Sequence, residues 1–142
     1  MSKVSLALRR RVEQRALGLC EYCRSCAEYT GHDFTVDHIQ PESLGGLSSF
    51  DNLYWSCFWC NNFKHASTHA RDPRSGQLVP LYNPRMDAWP EYFRWSRTQT
   101  RNIGRTPVSR ATVNAFRLNR PVLILARTVW VKHGLHPPIE GR

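Results

Sequence analysis

Two matched thiol pairs, Cys20-x-x-Cys23 and Cys57-x-x-Cys60, are the most informative residues of this chain. A Cys-x-x-Cys turn presents two sulfurs to one ion, and two such turns complete the closed tetrahedral four-thiolate site typical of structural zinc. Disulfides are disfavoured where no export signal is visible, and a redox function would need only one pair. Zinc on Cys20, Cys23, Cys57 and Cys60 is therefore the favoured reading, with Cys26 a spare thiol. Binding a structural zinc contributes on the order of 10 kcal/mol to small folds, so the metal should be required for folding here.

The loop between the pairs is too long for a compact ribbon and holds a second set of polar residues: Asp37-His38, Gly45-Gly46 and Asn52. Asn61, Asn62 and Lys64 follow directly after Cys60. Asp and Asn offer hard oxygen ligands suited to magnesium or manganese. A neighbouring histidine can take a proton near neutral pH. Phosphodiester hydrolysis needs those parts: a base for water, a cation on the phosphate and leaving oxygen, and a positive clamp. Singly, each residue has a plainer explanation as a turn, a loop or a cap. Their joint occurrence between zinc-spaced cysteines is what points to chemistry.

The elements that must position these residues are short. An apolar stripe of Val4, Leu8, Val12, Ala16 and Leu19 predicts a helix over 3–19. β-Branched and aromatic residues predict a strand over 33–39, ended by Pro41, and a second extended segment over 51–56. A short helix over 58–66 starts at the second cysteine pair. Asp72-Pro73 and Ser75-Gly76 mark a turn, and a loose boundary near residue 70 divides a core, 1–70, from an extension, 71–142. The extension is expected to be extended and aromatic-anchored over 79–95 and helical from Pro107 to about Asn119, with Thr106 as cap. It should turn helical again from Pro121, with Val122, Leu125, Ala126, Val129 and Trp130 on one face.

The ordered set Cys20-Glu-Tyr-Cys23, Phe34-Thr-Val-Asp37-His38-Ile-Gln-Pro41, Gly45-Gly46, Asp51-Asn52-Leu53 and Cys57-Phe-Trp-Cys60-Asn61-Asn62-Phe63-Lys64 resembles the zinc-bearing branch of the HNH endonucleases. The resemblance implies a ββα-metal core, two short antiparallel strands and a helix around one catalytic divalent cation. The expected fold is then α+β: that core with a four-cysteine zinc knuckle, preceded by an N-terminal helix and followed by a basic, mainly helical extension packed on it. By the same resemblance His38 is the general base and Asp37 a metal ligand. Asn52 is the central Asn that holds the loop. Asn61 takes the third position, making an HNN variant with an oxygen ligand for Mg or Mn, and Lys64 touches phosphate. Cleavage would leave a 5′ phosphate and a 3′ hydroxyl. Residues 76–130, with Val79-Pro-Leu-Tyr-Asn-Pro-Arg85, Tyr92-Phe-Arg-Trp95 and Arg110-Ala-Thr-Val113, also resemble the tail of stand-alone bacterial HNH proteins.

The formal net charge of the 142 residues is +9, and no acidic residue occurs between Glu91 and Glu140. A solvated face usually mixes signs, and arginine makes forked contacts with phosphate, so a polyanionic partner is expected. The expected nucleic-acid contacts are Lys64, Arg9, Arg10, Arg94, Arg97, Arg101, Arg105, Arg110 and Arg117. DNA is favoured over RNA, and the protein is expected as a monomer or homodimer. No apolar run approaches the roughly 20 residues of a membrane span and the basic start lacks the features of a signal peptide, so a cytoplasmic location without membrane contact is expected. The competing reading is a non-catalytic zinc-stabilised nucleic-acid-binding module. A third is a protein-interaction module using the aromatics of 79–95.

Overall fold

A computed structural model describes residues 4–139. Lys3, where the first helix was expected to start, and Glu140 lie outside the described residues. The chain forms two compact units. One takes the described residues to Thr68 together with Asn83–Arg85, and the other takes His69–Tyr82 and the described residues from Met86.

The first unit begins with α1 (Leu6–Ala16). Ser5 caps it, its Oγ accepting the Leu8 N–H at 3.1 Å, which satisfies one of the donors a helix start leaves unpaired. The helix stops at Ala16, three residues before the predicted end, because Leu17 and Gly18 both adopt left-handed backbone, φ 57° and 73°. Val12, Ala16 and Leu19 of the apolar stripe are buried. A short α2 (Ala27–Thr30) follows the first cysteine pair. Strands β1 (Thr35–His38) and β2 (Leu53–Ser56) pair antiparallel, with Asp37 opposite Tyr54 and His38 opposite Leu53. α3 (Phe58–Lys64) then starts at Cys57, whose sulfur accepts the Cys60 N–H. This is the expected ββα arrangement.

Arginine holds this unit together from inside. Arg15 donates to the Phe50 and Leu53 carbonyls, both at 2.7 Å, and its guanidinium lies 3.7 Å from the Phe50 ring centroid. Arg9 donates to Phe34 O at 2.8 Å and lies over the Trp55 ring. Arg9, expected as a phosphate contact, is half-buried and engaged on a carbonyl and a ring, whereas Arg10 is exposed. Arg85 is ion-paired with Glu21, a buried member of the first cysteine turn. Burial and the nearby Arg15 push the Arg85 pKa down to about 10.

Among its described residues the second unit contains two hairpins and three helices. β3 (His69–Arg71) pairs with β4 (Leu78–Pro80). A short α4 (Trp89–Tyr92) leads into β5 (Phe93–Trp95), which pairs with β6 (Asn102–Gly104). The stretch 79–95, expected to be simply extended, is thus broken by one helical turn and ends in a hairpin strand. Tyr82, Trp89 and Phe93 form the aromatic core, with ring centroids 5.0 Å apart for Tyr82–Phe93 and 5.5 Å for Trp89–Phe93.

α5 (Pro107–Ala115) opens with a reciprocal cap between Thr106 and Ser109. It ends four residues before the predicted limit. α6 spans Pro121–Lys132. Its buried residues are Leu123, Arg127 and Trp130, whereas Val122, Leu125 and Val129 are exposed. The predicted apolar face is corrected accordingly: Arg127, fully buried, is the centre of the inward face because its guanidinium serves the Thr100 carbonyl and Asn119 side chain, at 3.1 and 3.3 Å. Among the described residues no helix is long and apolar enough to cross a membrane.

Candidate active site

Cys20, Cys23, Cys57 and Cys60 come together in the first unit. All four are buried and unbridged, and their sulfurs lie within 4.8 Å of one another. Four thiolates about 2.3 Å from one ion stand roughly 3.8 Å apart along a tetrahedron's edges, and the Cys23 and Cys57 sulfurs are 3.8 Å apart. Burial pushes the Cys20 and Cys60 thiols up, so holding four thiolates here requires a cation. The donor set and its closure fit structural zinc. Cys26 is not part of the cluster.

The knuckle fixes the strands beside it. Glu21, between the first two cysteines, accepts the Trp55 N–H at 2.8 Å, which ties that turn to β2. α3 is tied by Cys57 and Cys60. β1, paired to β2, ends in Asp37 and His38.

Asp37, His38, Glu42, Asn61, Asn62 and His65 line one open cleft of about 310 Å³. The His38 ring is largely buried and held at both nitrogens. Nδ1 lies 3.2 Å from Asp37 Oδ1, and Nε2 lies 2.8 Å from Ser48 Oγ and 3.9 Å from Glu42 Oε1. Asp37 Oδ1 also accepts the His38 N–H at 2.7 Å. A proton gained by this ring is flanked by two carboxylates. Asp37 keeps 45% of its side-chain surface exposed, which leaves oxygen capacity for a cation. Asn61 is turned to the same cleft, and its Oδ1 accepts the Tyr54 hydroxyl at 2.7 Å. Burial first, then the Asp37 carboxylate, push the Tyr54 hydroxyl far up, so it remains a donor.

Asn52 is spent on the loop. Its Oδ1 accepts the Gln40 N–H at 2.9 Å, and its Nδ2 donates to the Gln40 and Leu47 carbonyls at 3.0 and 2.9 Å. Gly46 is required by the same junction. A Cβ there would lie 1.8 Å from the Gln40 carbonyl oxygen and 2.9 Å from Asn52 Nδ2, far inside contact distance. Asn52 therefore shapes the segment that carries Ser48 to the His38 ring.

Lys64 corrects a sequence expectation. It is buried, and its ammonium donates to the Ile39 and His38 carbonyls at 2.9 and 3.2 Å. Burial lowers its pKa, partly offset by Asp37. It braces the end of β1 and is not offered to a phosphate. In the second unit Arg110 is likewise committed, clamping the buried Asp72 through Nε and Nη2 at 3.0 and 2.8 Å. Arg94, Arg97, Arg101 and Arg117 remain exposed, as does Arg105, whose Nε donates to the Phe93 carbonyl at 3.2 Å.

Four residues of the site were not anticipated. His65 stands four positions after Asn61, the spacing that puts two helical residues on one face, so a signal existed. Tyr54 faces Asp37 once the two strands are paired in register. Ser48 and Glu42 reach His38 from irregular segments, where spacing gives no guide.

Residues 20–67 match the HNH endonuclease family. This segment is an HNH domain. No curated protein and no solved structure matches the chain. An HNH domain with ββα elements and a four-cysteine metal site implies nuclease-type activity. The match covers both cysteine pairs, Asp37, His38, Asn52 and Asn61, and ends before the second unit.

Proposed function

We propose that this protein is a metal-dependent endonuclease that hydrolyses phosphodiester bonds, with His38 as general base. The observation that carries the reading is the convergence of His38, Asp37 and Asn61 on one open cleft of the HNH domain. Asp37 and Asn61 are the residues that would hold a catalytic Mg or Mn ion. Their hard oxygen donors fit such an ion, and Asp37 has solvent-facing surface to give it. When bound, that ion supplies Lewis-acid polarisation of the scissile phosphate.

His38 takes a proton from water as the water oxygen bonds to phosphorus. The bond from phosphorus to the 3′ oxygen breaks, leaving a 5′ phosphate and a 3′ oxygen that is protonated from solvent. Asp37 and Glu42 flank the imidazolium so formed, and Ser48 fixes the ring's orientation. Asn52 positions the loop that supplies Ser48. Arg94, Arg97, Arg101 and Arg117 of the second unit, with Arg10, supply the phosphate contacts, a sequence-independent term with steep salt dependence. DNA is the proposed substrate and the cytoplasm the proposed location.

A plasmid-cleavage assay with Mg or Mn tests the reading. The parent should nick or linearise the plasmid, and His38→Ala should cut at least a hundredfold more slowly, as expected for loss of a general base. Equal rates for the two would overturn the assigned base. No cleavage of DNA or RNA by the parent would leave a zinc-stabilised nucleic-acid-binding module instead.

A further inference from the structure

The basic residues scattered through the acid-free sequence are not scattered in space. Arg94, Arg97, Arg101 and Arg105 all belong to, or directly follow, the β5–β6 hairpin, and all four are exposed. Arg94 pairs with Ile103, on the face opposite buried Phe93 and Asn102. Arg97 and Arg101 flank the tip, which reads Ser96-Arg-Thr-Gln-Thr-Arg101 and contains no apolar residue. Among the described residues no ion pair holds Arg94, Arg97 or Arg101.

The hairpin's root is rigid. Asn119 imitates a neighbouring strand: its Oδ1 accepts the Asn102 N–H at 2.7 Å and its Nδ2 donates to the Asn102 carbonyl at 2.8 Å. Buried Arg127 donates to the Thr100 carbonyl from behind. Gly104 lets the backbone of α5 approach so closely that a Cβ would lie 2.6 Å from Arg110 N. The tip is closed by the Ser96 N–H to Arg101 O bond at 2.9 Å and the Gln99 N–H to Ser96 O bond at 2.8 Å. Ser96 Oγ accepts the Arg101 N–H at 3.0 Å. Arg94, Arg97 and Arg101 are thus presented on a preorganised two-stranded ribbon, which limits the ordering cost of binding, while Arg105 ties its root through an Nε–H bond to the Phe93 carbonyl at 3.2 Å.

We propose that this hairpin is a groove probe for B-form duplex DNA, its arginines seated on the flanking phosphates and its polar tip directed at base edges. The inference rests on the nucleic-acid reading above and names the substrate class. The charge of the ribbon calls for a polyanion. Its width selects the duplex: two backbones about 4.8 Å apart, broadened by side chains, match a major groove about 12 Å wide rather than a minor groove about 6 Å wide. The major groove of A-form RNA is too narrow and deep for side chains to read.

The test measures binding by anisotropy of a labelled 20-base-pair DNA over a KCl series. It uses His38→Ala protein without added divalent ion, so that cleavage does not enter. Removing Arg97 and Arg101 together (both to Ala) should weaken duplex binding on the order of a hundredfold and reduce the salt slope by about 2. Arg74→Ala with Lys132→Ala removes two exposed charges from the same unit and should change affinity less than about threefold. Unchanged melting curves confirm that both double variants remain folded. Single-stranded DNA and duplex RNA of the same sequence should bind the parent more weakly than duplex DNA does. Equal losses in the two double variants would reduce the hairpin to part of a general positive field and overturn the proposal. Tighter binding of single strands or duplex RNA would overturn it equally. Duplex binding through the hairpin with no cleavage by the parent would sink the nuclease reading and leave the probe standing.

Discussion

Buried Tyr54, paired with Asp37 across the two strands, donates its hydroxyl to Asn61 Oδ1 at 2.7 Å. A carbonyl oxygen has two lone pairs, so this bond orients Asn61 and leaves one pair for a cation. Partners that hold a ligand in this way typically matter by 10–100-fold (about one to two orders of magnitude) in metal affinity or activity. Tyr54→Phe keeps the ring and removes only the donor. It should raise the Mg concentration for half-maximal cleavage by about tenfold, with little change in the folded spectrum. An unchanged metal titration would remove Asn61 from the ligand set.

Lys64 supports the site by another route. Its ammonium is the internal partner of the Ile39 and His38 carbonyls. Lys64→Met fills most of the volume but leaves two buried carbonyls without that donor, at a cost of about 1–3 kcal/mol. The melting temperature of the first unit and the cleavage rate should both fall. The salt slope of DNA binding should not move, because this lysine meets no phosphate. A slope lower by about 1 would instead restore Lys64 to the nucleic-acid interface.

The thiols separate cleanly. Cys57→Ser removes one of four converging sulfurs and should cost both the bound zinc and the fold of the first unit. The binding free energy of a structural zinc, on the order of 10 kcal/mol, is as large as a domain's entire stability. Cys26→Ser should keep one zinc per chain and a native circular-dichroism spectrum. Metal analysis of the two purified variants checks both. Zinc retained in Cys57→Ser at the parent's level would mean that the cluster is not the zinc site.

Much of this site could be read from spacing alone, because the metals proposed for it impose spacing. Two Cys-x-x-Cys turns must converge on an ion, and Asp37-His38 must end a strand for the pair to face Asn61 on the next helix. What escaped was set by partners, not by residue type. Arg9, Lys64, Arg110 and Arg127 count as surface charge in a sequence, yet each is engaged on carbonyls, a ring or a carboxylate. The α6 face was misjudged for that reason: a helix that buries an arginine presents Val122 and Leu125 outward. The early end of α1 arose from left-handed Leu17, a residue type that gives no warning of such a turn.

The second unit should show an acid limit set by Asp72. Arg110 foremost, then Ser75 and the Arg74 N–H, hold this carboxyl well below the usual range. A depressed folded-state pKa contributes stability that is fully present above the unfolded value, about 3.9, and is lost as pH falls through the folded value. The unit should therefore keep this contribution at pH 5 to 7 and shed it only well below pH 4. Asp72→Asn keeps the shape and deletes the charge. Melts followed by the fluorescence of Trp89, Trp95 and Trp130 should place the variant several degrees below the parent at pH 7. The gap should shrink as the pH approaches 2. A gap that stays constant across that range would assign the loss to hydrogen-bond geometry and not to the ion pair with Arg110.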